Sequence, residues 1–441
     1  MSSEWSRLTL KNAGVILIDC DHRTPAAASD GYPYIAIPQL KNGHIVLDGV
    51  RRISQSDYND WTRKLKPQVN DVIVVRRCSS GDSAHVPAGL DCAIGQNLVI
   101  LRANGEHVVP IFLRWLLKGP EWWGQVSKFI NVGAVFDSLR CRDIPNFELT
   151  IPPLDQQIEI ASILGAIDDR ITLLRETNTT LEAMAQALFK SWFVDFDPVL
   201  AKSEGVMPEG MDAATAALFP DSFEESEQGM VPRGWKVCSI LDIANLLSGG
   251  TPKTDRAEYW GGNIPWASAK DVSQAADIIL TGTDRTITDL GLQKSSTRMI
   301  PAFSTVVVAR GATTGRMVMF GMTMAMNQTC YALDSKAGTP VALYLMLKKE
   351  IDSLTQKAHG SVFDTITTST FSASKTLQIP DTLLVRFESV AGPLFRRVFT
   401  GCQQVNILTQ LRDTLLPRLV SGQLRLTDAK VTVENALSGS I

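Results

Sequence analysis

The sequence predicts an α+β chain made of two copies of one plan. Two repeated mixed α/β domains are each followed by a long helix, and the helices pair as an antiparallel two-helix coiled coil about a pseudo-twofold. Three observations carry this reading. Short words recur in the same order at an offset of about 228 residues. An apolar seam at alternating steps of three and four runs from Leu164 to Trp192, with a looser one from Leu394 to Leu419. Charge is also unevenly divided along the 441 residues, and an acidic stretch separates the two copies.

The first domain spans 1–150 and the second 232–382. Gly31-Tyr-Pro-Tyr-Ile35 matches Gly262-Asn-Ile-Pro-Trp266, and Asp71-Val-Ile-Val-Val-Arg76 matches Thr305-Val-Val-Val-Ala-Arg310. Gly133-Ala-Val-Phe-Asp137 reappears as Gly360-Ser-Val-Phe-Asp364, and Ile151-Pro152 as Ile379-Pro380, each just ahead of a helical segment. The first spacer helix is placed at 151–196, with the seam Leu164, Ile167, Ile171, Leu174, Asn178, Leu181, Ala185, Leu188, Trp192. Pro152-Pro153 and Asp155 suit its start, and Asp197-Pro198 its end. The second, at 383–424, carries Leu394, Val398, Val405, Leu408, Leu415 and Leu419, with Gly401 and Arg412 filling the gaps. Asn178 and Asn406 hold equivalent repeat positions. They either fix register from a buried site or face solvent. Residues 197–231 read as an exposed acidic linker with short ordered pieces, and 425–441 as a tail.

Net charge is −3, but the blocks differ: +2 over 1–150, −4 over 151–196, −7 over 197–231, +3 over 232–382 and +3 over 383–441. The two large domains are mildly basic. No stretch is apolar enough to span a membrane, and the start lacks a basic-then-apolar signal. Seven dispersed cysteines form no C-x-x-C pair, and five histidines form no H-x3-H pattern. A reduced, cytoplasmic protein without a metal is expected. Asp19 and Asp21 form a carboxylate pair with no evident third ligand, and Asp168-Asp169 fits a solvated face beside the seam. Phosphate-binding loops, a dinucleotide fingerprint and a nucleophile elbow are all missing, which favours a binding protein over an enzyme.

Two loops suit phosphate and base contact. Arg76 and Arg77 end an apolar strand and precede Ser79-Ser-Gly-Asp82, while Arg310 precedes Gly311-Ala-Thr-Thr-Gly315-Arg316. Small residues let backbone N–H groups approach a phosphate, and arginine binds phosphate or a guanine edge bidentately. Polar hairpins with ordinary surface arginines fit the same words, and both readings stay open here. Arg51, Lys128, Lys253, Lys270, Arg316 and Lys357 add cations. Phe189, Trp192, Phe193 and Phe196 crowd the end of the first helix with more aromatic area than an intrachain coil needs, so a partner is expected on them.

Longer words point further. Ile151-Pro-Pro-Leu-Asp-Gln-Gln-Ile158 opens the first helix and Gln186-Ala-Leu-Phe-Lys-Ser-Trp-Phe-Val-Asp-Phe196 closes it. Val231-Pro-Arg-Gly-Trp235 and Ser248-Gly-Gly-Thr-Pro252 open the second domain, and Leu416-Pro-Arg-Leu-Val-Ser-Gly-Gln-Leu424 closes the second helix. With these words the chain resembles the specificity subunit of type I restriction–modification systems over almost its whole length. Asp381-Thr-Leu-Leu384 departs from the pattern, standing where Pro-Pro-Leu would.

The resemblance implies two target recognition domains, each reading half of a bipartite sequence in double-stranded DNA. It also implies helices that set the gap and dock two modification (methyltransferase) subunits, with restriction/translocase subunits joining them. The chain itself would be non-catalytic, with S-adenosylmethionine, ATP and Mg carried by the partners. Base-reading residues vary with the target in this family, so the DNA-contact residues above rest on physical argument. A standalone enzyme and a coiled-coil scaffold without sequence-specific DNA binding are the rival classes. The first finds no catalytic constellation, and a salt-dependent duplex-binding assay separates the second.

Overall fold

The computed structural model describes residues 5–132, 137–227, 229–357 and 365–438, the side chains of 354–357 excepted. The words at 133–136 and 360–364 lie outside the described residues. The chain forms two compact units, Met1–Ile171 with Ile407–Ile441, and Thr172–Asn406.

In unit 1 an antiparallel sheet runs in the order Val15–Asp19, Leu98–Ala103, Val72–Val75, Ser83–His85. All four residues of Val72–Val75 are buried, as an unbroken β-branched run demands. A second sheet sets Tyr32–Ile35 between Arg51–Ile53, antiparallel, and Ala93–Ile94, parallel. Ile35, Ile73, Val75, Ile94, Leu98 and Ile100 pack between these layers. Ser6–Thr9 pairs antiparallel with Glu148–Ile151 and brings the ends of the domain together.

Unit 2 repeats the plan. Ala244–Ser248, Cys330–Ser335, Thr305–Val308 and Met317–Phe320 keep the same order, extended by Ile279–Leu280. Trp260–Ala267 lies between Arg285–Ile287, antiparallel, and Met324–Met326, parallel. Lys236–Ser239 pairs with Lys375–Gln378. The repeat in the sequence is therefore a repeat of topology.

Its register differs from the one the words suggest. The Val75 N–H donates to the Asp82 carbonyl, as the Val308 N–H donates to Arg316, both at 2.8 Å. The next residues, Arg76 and Ala309, donate to Asn97 and Thr329, again at 2.8 Å. One step on, Arg77 bridges Ser138 and Arg310 bridges Thr365. Arg310 therefore corresponds to Arg77, and Arg76 to Ala309. Side chains alternate faces along a strand, so the one-residue slip exchanges an exposed arginine for a half-buried one.

Each long helix has 40 residues, Leu154–Phe193 and Asp381–Val420. In unit 1, Asp168 meets Arg412 at 2.8 Å. In unit 2, Asn178 donates to the Cys402 thiol at 3.5 Å and Phe189 meets Phe387. In unit 2 the two helix segments thus run antiparallel. The gaps in the second seam match polar residues of the first helix. A Cβ on Gly401 would lie 2.2 Å from the Asn178 side-chain oxygen, so only glycine leaves room there. Asn178 is buried, whereas Asn406 is exposed and donates to the Thr281 hydroxyl at 2.6 Å.

Other expectations need correction. Asp168 is 2% exposed, not solvated, because the face turned inward there is wider than a two-position seam and takes in the residue after Ile167. Near the end of the first helix the buried position is Phe189, and Leu188 is half-buried. Residues 197–231 are more than an exposed linker. They fold into Asp197–Ser203, Ala213–Ala217 and a hairpin, Phe223–Ser226 with Gly229–Pro232, and Val199, Phe219 and Val231 are buried. The tail contains a helix, Leu426–Leu437, which buries Ala429 and Val433, and Lys430 lies 3.4 Å from Glu159.

Each mixed domain is tied to a long helix by a side chain that accepts from backbone amides at the start of a shorter helix. Gln157, fully buried, accepts from the Val109 N–H at the start of helix Pro110–Leu116. Glu388 accepts from the Val341 and Ala342 N–H groups at the start of helix Pro340–Lys357; burial raises its pKa, and these amides offset part of that rise.

Candidate nucleic-acid interface

The loop after Val72–Val75 and the segment Ser138–Arg142 enclose an open recess in the first domain, lined by Asp19, His22, Arg76, Arg77, Arg140, Cys141 and Arg142. The loop is held by Ser80, whose hydroxyl donates to the Arg76 carbonyl at 2.8 Å and the Asp137 carbonyl at 3.2 Å. Arg77 is exposed and is followed by Cys78 at φ 71°. In the second domain Arg310 is exposed and is followed by Gly311 at φ 98°. Both copies place an arginine just before a left-handed turn, and glycine is the residue that adopts that turn most readily.

Arg76 sits lower. Its side chain is 12% exposed and its guanidinium is 3.9 Å from Asp19. Arg140 donates to the Asn131 side chain at 2.8 Å, and Arg142 lies 3.7 Å from Asp143. Four arginines on one recess make a positive surface suited to phosphate. Burial raises the pKa of the core thiol Cys20 beside the recess, with the Asp19 charge adding to it, and burial pushes the recess thiol Cys141 up to about 11.

The other sequence candidates scatter. Arg51 is exposed and donates to the Pro25 carbonyl at 2.9 Å. Lys128 lies 5.2 Å from the Phe129 ring centre. Lys253 and Arg316 are exposed, and Lys270 pairs with Asp284 at 3.2 Å. The Lys357 side chain lies outside the described residues.

Arg140, Arg142 and Arg285 escaped sequence reasoning. The R-x-R word at 140–142 was a findable signal. Arg285 emerges only from pairing, because it faces Trp266 across the strands as Arg51 faces Tyr34. Its guanidinium stacks 3.4 Å over the Trp260 ring.

The partner expectation at Phe189, Trp192, Phe193 and Phe196 is corrected. The first three are buried in unit 2 among Phe219, Trp235 and Phe387, and Phe196 packs on Phe223 and Trp235. The linker and second helix of the same unit supply the apolar cover assigned to a partner.

Comparison with known proteins agrees with this architecture. Residues 20–183 and 232–382 match the family described as Type I restriction modification DNA specificity domain. The HindI type I restriction enzyme specificity subunit of Haemophilus influenzae is 27% identical over 75% of this chain and 81% of its own length. The MjaIX specificity subunit of Methanocaldococcus jannaschii is 23% identical over 96% and 94%. The crystal structure of a type I restriction–modification S subunit from M. genitalium shares the fold, with a TM-score of 0.55 over 95% of this chain and 96% of that one at 16% identity. A family match over both copies of the repeat, in a chain whose two domains share one strand order, makes this protein a member of the type I restriction–modification DNA specificity family, the specificity subunit of such a system.

Proposed function

We propose that each mixed domain reads one half of a bipartite duplex DNA target, with Arg77 and Arg310 as equivalent contacts. We propose further that the chain assembles with two methyltransferase subunits and with restriction/translocase subunits, which carry S-adenosylmethionine, ATP and Mg. The observation that supports this reading most directly is the topological equivalence of Arg77 and Arg310. Two exposed arginines at one position of a duplicated fold suit two half-sites. Arg140 and Arg142 extend the basic surface in the first domain, and Arg285 offers a stacked guanidinium in the second. Among the described residues no helix is long and apolar enough to cross a membrane.

The test is binding of the assembled complex to duplexes altered in one half-site at a time. Arg77→Ala should weaken specific binding by about 1–3 kcal/mol and relax preference in one half-site only, with Arg310→Ala acting on the other. If the side chains touch phosphate instead, binding falls equally on all sequences and the salt slope shrinks by about one. Full affinity, slope and preference in both variants would remove the two loops from the interface.

A further inference from the structure

The word Ser248-Gly-Gly-Thr-Pro252, with Lys253 after it, seats two tryptophans. The Trp266 indole N–H donates to the Gly250 carbonyl at 3.0 Å, and the Trp260 indole N–H to the Lys253 carbonyl at 3.2 Å. The two rings meet edge to face with centres 5.1 Å apart. The seat needs both glycines. A Cβ on Gly249 would lie 2.2 Å from the Asn327 carbonyl oxygen, and one on Gly250 2.5 Å from the Thr297 amide nitrogen.

Arg285 lies across the strands from Trp266. Its guanidinium carbon is 3.4 Å from the Trp260 ring centre and 5.8 Å from that of Trp266. The nearby acids are engaged elsewhere, Asp284 with Lys270 at 3.2 Å and Glu258 with Arg256 at 3.8 Å. Arg285 is exposed, and among the described residues its guanidinium has no hydrogen bond or ion pair. In the first domain the matching Arg51 instead gives an N–H to the Pro25 carbonyl at 2.9 Å. The tryptophan seat also adjoins the strand end that carries Arg310. The Gly250 N–H donates to the Met326 carbonyl at 2.9 Å, and the Ala309 N–H to the Thr329 carbonyl at 2.8 Å.

We propose that Arg285 reads a guanine edge in the half-site bound by the second domain, with Trp260 as its positioning residue. This rests on the reading of that domain as a duplex DNA reader. Guanine presents two acceptors, N7 and O6, in one plane, and a guanidinium already held flat against a ring meets both with little further loss of freedom. A phosphate offers acceptors on several sides and carries no sequence, so it makes less use of a fixed plane.

The experiment measures binding of the assembled complex to its cognate duplex, read from the sites it methylates. Each G·C pair of the half-site is also changed singly to A·T. Arg285→Ala should remove about 5- to 150-fold of discrimination at one G·C pair and leave the other half-site unchanged. Arg285→Lys keeps the charge without the planar fork, so it should hold the salt slope yet fail to restore that discrimination. Trp260→Leu should reduce the same discrimination at an unchanged salt slope, and Trp260→Phe, which keeps a ring face, should recover part of it. Full discrimination in Arg285→Ala, an equal loss on all sequences with a shallower salt slope, or a half-site without a G·C pair would each overturn the assignment. Arg310→Ala, run alongside, reports on the domain itself. A half-site effect there with none in Arg285→Ala defeats this assignment alone, and no half-site effect in either variant defeats both.

Discussion

In unit 1 the helix segments close over a buried carboxylate, whereas in unit 2 they close over rings. Asp168 meets Arg412 at 2.8 Å, Arg114 at 3.2 Å and His44 at 3.3 Å. Burial alone would raise its pKa, but His44, Arg114 and Lys118 override that and hold the carboxyl well below the usual carboxylate range. Phe387 has no such partners. It packs at ring-centre distances of 5.9, 5.7 and 5.2 Å from Phe189, Trp192 and Phe193. Burying an aromatic side chain contributes roughly 1.5–3 kcal/mol, and well-placed ring pairs add about 0.5–1.5. A buried ion cluster gains far less net free energy, since desolvation offsets most of the attraction, but it tolerates few alternative pairings. The difference suggests a division of labour, with rings supplying stability in one unit and charges selecting the pairing in the other.

The largest expected effect tests the ring side. Phe387→Ala should destabilise the full chain by about 3–5 kcal/mol in urea unfolding, because a fully buried ring leaves a cavity. A loss under about 1 kcal/mol would mean the cluster contributes little and the contrast fails.

The charge side should respond nearly as strongly, and with pH. Asp168→Asn takes the carboxylate partner from buried Arg114 and leaves Arg412 only the exposed Asp413, and should cost about 3 kcal/mol at pH 7. The folded pKa is depressed, so the wild-type advantage is complete above the unfolded value of about 3.9 and is lost as pH falls below it. Asp168→Leu combined with Arg114→Met and Arg412→Met should recover most of the loss. A pH-independent difference, or no recovery, would show that Asp168 acts through packing alone.

The smallest effect sharpens the middle of the helix pair. Gly401→Ala should cost about 1–3 kcal/mol by overpacking against Asn178, and Asn178→Ala should remove most of that cost. Additive losses in the double variant would separate the two positions.

Much of the fold was legible from local signals. The domains, the helix ends near Leu154 and Asp381, and the family words all rest on periodicity or contiguous residues. The candidate site was legible only in part. Arg77 and Arg310 were visible as strand-ending arginines, but their equivalence was not, since Arg76 offered an equally good match. The helix Leu426–Leu437 passed as a tail because its stabilising burial at Ala429 and Val433 depends on packing, which a short polar segment does not announce.

By itself the sequence determined the duplication, the two long helices, the mildly basic domains and the family, because each is written in neighbouring residues or in a fixed spacing. Only the tertiary structure decided which arginines share a position, that Asp168 and Asn178 are buried, and that the aromatic cluster is covered by its own unit. These depend on pairs more than a hundred residues apart, such as Asp168 with Arg412 and Asn178 with Cys402. The free energy of such pairs comes from removing water from both members at once, and a one-residue change in register moves a side chain from one environment to the other.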